Sequence, residues 1–371
     1  MKAKFEPLFE SYTFPNGVTV KNRLALAPMT HYSSNDDGSI SEEELVFIKA
    51  RAKDLGTVIT ACANVTPNGK AFPGQPAIYD DQFIPGLKKL AETVQQEGAK
   101  AVIQIHHGGI SCPSELVPDG DVVSASNIDR DNQKARALST GEIEEIIEAF
   151  GEATRRAIEA GFDGVEIHGA NGYLVQQFYS PYTNNRTDEW GGSVENRMKF
   201  PLAVAEACQR AIDKHAKRPF IFGYRFSPEE PSTPGLTMTE TFQLVDALSN
   251  LPFDYLHISL MHALSTPHRG ADTERTRIEL VNEVINGRVP LMAVGKVNSP
   301  DDALAVRERN IPLIAIGREL LISPRWAAYI QEDRLEKIEY ALNLKERDKY
   351  DIPNGLWEVI LAAEGWVPFT R

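Results

Sequence analysis

The sequence predicts a closed (β/α)₈ barrel. Eight short β-branched runs recur along the chain, each is apolar nearly throughout, and each is followed by a longer helical pattern. A run without polar alternation suits a parallel strand buried on both faces, and eight βα units are the number at which such a sheet closes. The 371 residues, 42% hydrophobic and 25% charged, are enough for one domain over residues 1–371. Its barrel core is placed at about 23–344 and a tail at 345–371.

In chain order, Thr13 to Thr19 form a hairpin with Asn16-Gly17 at its turn, expected to plug the barrel's N-terminal face. The strands follow at residues 23–28, 57–63, 101–105, 164–167, 220–226, 255–259, 291–294 and 313–316. Helices are expected at 42–53, 85–97, 139–160, from 194 onward, and at 238–251, 277–285, 300–308 and 324–344. The clearest is 139–160: Ser139 and Glu142 make a capping box, and Ile143, Ile146, Ile147, Phe150, Ala153 and Ala157 recur at helical spacing. Pro201 lies inside the helix after Ser193, which predicts a kink or restart. Two long loops, 108–138 and 261–276, are expected to roof the barrel mouth. The tail from Asp351 carries Trp357, Trp366 and Phe369 and should pack on the barrel or on a neighbouring subunit.

The net charge of −13 argues against a nucleic-acid partner or an anionic membrane surface, since like charges repel. Cys62, Cys112 and Cys208 have no metal-ligand spacing and suit a reducing setting. The first residues lack an apolar signal core, and no run approaches ~20 apolar residues, so a cytoplasmic location is expected.

A barrel keeps its chemistry at the C-terminal ends of its strands. Those ends read Pro28-Met29-Thr30, Cys62, Gln104 to His107, His168 to Asn171, Arg225, Gly295-Lys296 and Gly317-Arg318. Arg225 stands inside an apolar strand, where an unpaired charge is costly. Either it faces an anion or a cofactor that becomes anionic, or it pairs with a barrel carboxylate such as Glu166. Gly295 and Gly317-Arg318 end the seventh and eighth strands, where barrel phosphates bind; the plainer reading is that the glycines only turn the chain. His168 and Asn171 share a face if the chain turns helically after the strand, forming an oxyanion-type site with Tyr173 near enough to give a proton. A packed histidine and a loop-stabilising asparagine are the bland alternative. His106-His107 with His168 could hold a metal, but adjacent strand residues point to opposite faces, so only one of the pair can reach the site. Lys296 could form a Schiff base, though the glycine before it suits a phosphate or flavin better.

The longest informative stretch is His168-Gly169-Ala170-Asn171-Gly172-Tyr173, followed by Ser180-Pro181 and by Asn184 through Arg197, NNRTDEWGGSVENR. With Asn22-Arg23, Ala27 to Thr30, Gln104 and Ile316-Gly317-Arg318, it resembles the Old Yellow Enzyme family of FMN-dependent NADH/NADPH:flavin oxidoreductases, from about Leu8 to about Arg334. The resemblance implies FMN over the barrel mouth. Ala27, Pro28, Met29 and Thr30 would line the flavin, Cys62 would contribute mainly backbone, and Gln104 and Arg225 would bind the pyrimidine edge. Gly295, Gly317 and Arg318 would hold the phosphate. It further implies a ping-pong reaction in which NADH or NADPH reduces the flavin and an α,β-unsaturated carbonyl compound then takes the hydride. His168 and Asn171 would hold its oxygen, Tyr173 would protonate the α carbon, and Tyr32 would line the substrate site. Thr30 replaces the Cys of one bacterial branch, Asn171 is similar to the yeast-type branch, and Asp54-Leu55-Gly56 and Thr60-Ala61-Cys62 depart from the family pattern. The family also suggests a homo-oligomer.

Two rival readings remain at this point: a metal-dependent barrel hydrolase, and a non-catalytic flavin-binding protein.

Overall fold

The computed structural model describes residues 1–130 and 132–370. Its strands are Leu24–Leu26 (β1), Thr57–Ile59 (β2), Lys100–His106 (β3), Gly164–Gly169 (β4), Ile221–Phe226 (β5), Tyr255–Ser259 (β6), Leu291–Val294 (β7) and Leu313–Ile316 (β8). Each pairs in parallel with its sequence neighbours, and β8 returns to β1, so the ring closes. Both faces of these strands are buried, which is why they read as continuous apolar runs.

The outer helices are Glu42–Ala52 (α1), Ile84–Gln96 (α2), Thr140–Glu159 (α3), Val194–His215 (α4), Met238–Leu248 (α5), Arg277–Ile285 (α6), Pro300–Arg307 (α7) and Trp326–Gln331 (α8). The Ser139–Glu142 capping box is present. The same device starts α5 at Thr237–Glu240, α6 at Thr276–Glu279 and α7 at Ser299–Asp302, so side-chain oxygens satisfy donors that the first turn leaves open.

The hairpin plugs the N-terminal face as expected. Tyr12–Thr13 pairs antiparallel with Thr19–Val20, and Gly17 turns the chain at φ 89°. Asn16 grips the Asp254 carboxylate at the foot of β6 through its backbone N–H (3.0 Å) and its side-chain amide (2.9 Å). Phe14 packs into the barrel floor with Ile59, Val102, Ile221, Tyr255 and Met292.

Four local expectations are corrected. The second strand leaves its ladder after Ile59 and rejoins at Ala63–Asn64. Ile59 pairs with Val102 and Ala63 with Ile105, four steps against three, so one extra residue is taken up as a bulge. Helix α4 runs unbroken through Pro201: Phe200 stacks on Phe178 at 4.0 Å, and the flank of α4 lies tight on α3 where Gly151 meets the Ala207 carbonyl. The helix expected over 324–344 ends at Gln331, because Asp333 turns left-handed (φ 58°) and Leu342–Asn343 then pairs with Phe369–Thr370 of the tail. The loop 108–138 is structured by short 3₁₀ turns and the small strands Val123–Ser124, Ile128–Arg130 and Gln133–Ala137.

The tail folds back on the barrel. Its helix Asn354–Ala362 buries Leu356, Trp357 and Ile360. Buried Arg51 bonds the carbonyls of Phe47, Leu320 and Tyr350, tying α1, the segment after β8 and the start of the tail together. Among the described residues no helix is long and apolar enough to cross a membrane.

Candidate active site

The ladder register stacks the barrel interior in layers. Above the apolar floor, Gln104, Glu166, Gly223 and Tyr255 lie side by side on β3 to β6. One layer higher, His168, Arg225 and His257 are aligned, and His106 continues the row one step beyond the Ile105–Ile167 pair. Gly223 has no side chain because the Tyr255 ring lies across it. That lets the Tyr255 hydroxyl reach Glu166 at 2.9 Å.

Glu166 is fully buried and saturated. It accepts from Gln104 Nε2 (2.6 Å), from Tyr255 and from His257 Nδ1 (2.9 Å). Burial pushes its pKa up, but His257, these hydrogen bonds and the nearby Arg225 outweigh that and hold it below the usual carboxylate range. Burial likewise lowers the His257 pKa against the pull of Glu166, so the carboxylate is the charged member of the pair. Arg225 is 7% exposed, and its Nε has no hydrogen-bond partner among the described residues. The ion pair with Glu166 offered by the sequence is not formed. Three uncharged donors took the carboxylate first, and the guanidinium is left buried and unpaired, with burial lowering its pKa.

Three rings converge at the end of β4. His168 and Tyr173 have centroids 4.9 Å apart, His106 and Tyr173 4.3 Å, and His106 and His168 5.3 Å. His168 Nδ1 accepts from the Ala170 N–H at 3.3 Å, which leaves the proton on Nε2. Burial holds this imidazole well below its ordinary pKa, so it is neutral near pH 7. Burial raises the Tyr173 pKa, which keeps the phenol protonated.

Asn171 is not reached by a helical turn. It stands at φ 55° with Gly172 at 75°, a left-handed pair that swings its side chain toward β5 and β6. Its Oδ1 accepts from Ser259 Oγ (2.9 Å) and Ser227 Oγ (3.4 Å), and its backbone N–H donates to Ser227 Oγ (2.8 Å). The amide NH₂ stays free to donate. Asn171 borders a cavity of about 400 Å³ with Ser227, Glu229, Ser259, His262 and His268, so the loop 261–276 does flank the mouth.

On the opposite rim Ala27 is buried, and Pro28, Met29 and Thr30 follow half-buried at the end of β1. Cys62 lies in the bulge of the second strand, its thiol pushed up to about 12 by burial. Tyr32, at φ 54°, packs on Phe72 with centroids 5.7 Å apart, and its carbonyl lies against Gly355 of the tail helix. At the β7 end Gly295 adopts φ 138°, where a side chain is strained, and an added Cβ would sit 2.5 Å from the Leu260 carbonyl. Beside Gly317 an added Cβ would meet nothing nearer than Met29 Sδ at 3.5 Å, so space is open between the ends of β8 and β1. Arg318 already spends one donor on the Trp366 carbonyl (2.8 Å). Lys296 is exposed, which does not suit a Schiff-base lysine.

This donor set fits FMN. A buried cation lacks a hydrogen-bonded partner among the described residues, and the backbone at the β8 end is left open beside Gly317. The histidines are not arranged for a metal: among the described residues no group of three His, Cys, Asp or Glu could hold one. The Nδ1 atoms of His106, His107 and His168 are occupied by Gln75, Gly109 and Ala170. Sequence reasoning did not place His257, Tyr255 or Gln75. The usable signal was parity: if Gln104 faces inward, so does His106.

A family model described as NADH:flavin oxidoreductase / NADH oxidase matches residues 7–337. A probable NADH-dependent flavin oxidoreductase, YqiG of Bacillus subtilis, is 61% identical over 370 residues, covering 100% of both chains. An NADH:fumarate oxidoreductase of Klebsiella pneumoniae is 41% identical over 363 residues, which span 96% of this chain but 39% of that protein. Among solved structures, an Old Yellow Enzyme homologue from Zymomonas mobilis superposes with TM-score 0.74 at 26% identity, covering 88% of this chain and 92% of its own.

Proposed function

The chain belongs to the NADH:flavin oxidoreductase / NADH oxidase family and is an oxidoreductase that works with FMN and with NADH or NADPH; on that premise we propose that it reduces the activated C=C bond of α,β-unsaturated carbonyl compounds. The observation that carries this reading is the unpaired Arg225 guanidinium beside a cluster of neutral donors, His168 Nε2–H and Tyr173 O–H. Bound at the mouth, FMN would supply the redox chemistry, accepting hydride from the nicotinamide and passing it to the β carbon of the acceptor.

The chain's residues do the rest. Arg225 offsets the negative charge that accumulates at the pyrimidine edge on reduction, with Gln104 beside it; Ala27, Pro28, Met29, Thr30 and Cys62 line the flavin; Gly295, Gly317 and Arg318 hold the phosphate. His168 and the free NH₂ of Asn171 hold the acceptor's oxygen and draw charge onto it. A neutral imidazole suits this role because it donates without giving up its proton. Tyr173, kept protonated by burial, delivers a proton to the α carbon. Tyr32 bounds the substrate on the β1 side. The name of the Klebsiella relative, which specifies fumarate, supports a small conjugated acceptor. The whole chain is read as one FMN-binding unit, because the tail packs on the barrel, and as a homo-oligomer; sedimentation measures the latter.

The test is anaerobic. NADH and NADPH are each mixed with the holoenzyme while flavin absorbance is followed, and the bleached enzyme is then mixed with a panel of enones. Bleaching followed by recovery of the colour supports the proposal. Bleaching with no recovery by any conjugated carbonyl refutes it.

A further inference from the structure

His106 is the one member of the three-ring cluster to which the reading above gives no task. Its position and its proton are both determined. The Ala71 N–H donates to Gln75 Oε1 at 2.7 Å, which sets the orientation of the Gln75 amide. The NH₂ of that amide then donates to His106 Nδ1 at 3.0 Å. With Nδ1 occupied as an acceptor, the neutral ring carries its proton on Nε2. Burial pushes the pKa down to about 3, in keeping with a neutral ring.

The Nε2–H has no partner among the described residues. His106 is fully buried, and its Nε2 meets no hydrogen-bond acceptor. Buried donors are almost always satisfied, and one without a partner in the strand-end row beside His168 and Tyr173 marks a place that a ligand atom would complete once the ring contact with Tyr173 gives way. His168 is built alike: a donor on its Nδ1 and a proton on Nε2. The two rings are in adjacent strands at the same level, 5.3 Å apart, with Tyr173 against both. The site thus presents a pair of neutral N–H donors where one ketone oxygen would use only the first.

We propose that His106 binds a second oxygen of the acceptor's activating group, so that the site takes conjugated acids and their esters in preference to acceptors with a single carbonyl oxygen. This rests on the proposed reduction of conjugated C=C bonds. In that scheme His168 and Asn171 hold one oxygen of the group and His106 the other. The planar group is thereby fixed about its long axis, which a lone oxygen contact cannot do. Gln75 is the positioning residue: it touches no substrate but decides which imidazole nitrogen carries the proton.

Binding of unreactive ligands tests this without turnover. Benzoate, methyl benzoate and acetophenone share one skeleton and differ only in the group next to the carbonyl: a charged oxygen, an ester oxygen or a methyl. Each is titrated into oxidised holoenzyme, and the dissociation constant is read from the change in the flavin spectrum. In the unmodified protein at least one two-oxygen ligand should bind tenfold or more tighter than acetophenone, and which of the two does so separates free acids from esters. His106→Phe, which keeps a ring in place, should abolish that preference. Gln75→Glu accepts where Gln75 donates and so moves the His106 proton to Nδ1; it should abolish the preference with the imidazole still present. A preference that survives in either variant, or is absent in the unmodified protein, overturns the proposal. Reoxidation of the reduced, unmodified enzyme by 3-buten-2-one and by methyl acrylate is run in parallel. Failure with both would count against C=C reduction itself and leaves the ligand series to decide the role of His106 separately.

Discussion

Arg225 and Glu166 attract each other inside the barrel without pairing: Gln104, Tyr255 and His257 hold the carboxylate, and the guanidinium keeps an orphaned Nε. A buried cation in that state weakens the empty protein and strengthens the loaded one.

Arg225→Met should therefore move two measurements in opposite directions. The melting temperature of the flavin-free protein should rise, because the desolvation of a guanidinium with no hydrogen-bonded partner outweighs its attraction to Glu166, and an apolar chain of similar length avoids that cost. FMN binding should weaken by about tenfold or more, the loss of a charge-assisted bond of ~1.5–3 kcal/mol, and the midpoint potential should fall. Calorimetry and flavin fluorescence titration read these out.

His168→Ala should slow reoxidation by an enone by about 10²–10³-fold and leave reduction by the nicotinamide less affected. Since the imidazole is held well below its ordinary pKa, the unmodified enzyme should show no loss of this step between pH 8 and pH 6 traceable to His168. Stopped-flow rates across that range are the check.

The barrel was legible in the sequence because a strand buried on both faces leaves an uninterrupted apolar run, and all eight strands stand within a few residues of their expected places. The candidate residues at strand ends stood out for the same reason: His168, Arg225 and Gly295 interrupt such runs. What one chain could not show was register. That Glu166 is already occupied, that His106 rather than His107 faces His168, and that His257 completes the row all follow from ladder pairing between strands distant in sequence. The helical turn expected to carry Asn171 is a left-handed one, because its partners, Ser227 and Ser259, lie at the ends of strands distant in sequence. The helix over 324–344 failed because the tail competes for Leu342–Asn343.

Glu319 makes stability depend on pH. Burial raises its pKa from 4.5 to about 8, and its Oε1 has no partner among the described residues. The raised value means the folded state binds this proton more tightly than the unfolded chain. The contribution is whole below pH 4.5 and is lost as pH rises through about 8, at no more than ~1.4 kcal/mol per pH unit. Melting temperature should fall across that window, and Glu319→Gln should flatten the fall.

Gly295→Ala should destabilise the protein by about 1–3 kcal/mol, the strain of a side chain at φ 138° plus the clash with the Leu260 carbonyl. FMN retention on gel filtration should drop with it. A fully stable, fully loaded variant would remove Gly295 from the phosphate end.

The most direct test of the proposed chemistry is Tyr173→Phe, measured in both half-reactions by anaerobic stopped flow. The account predicts reoxidation by 2-cyclohexenone slowed by about 10²-fold or more, with reduction by NADH or NADPH changed far less. Equal slowing of the two half-reactions, or an unaltered reoxidation rate, would contradict it.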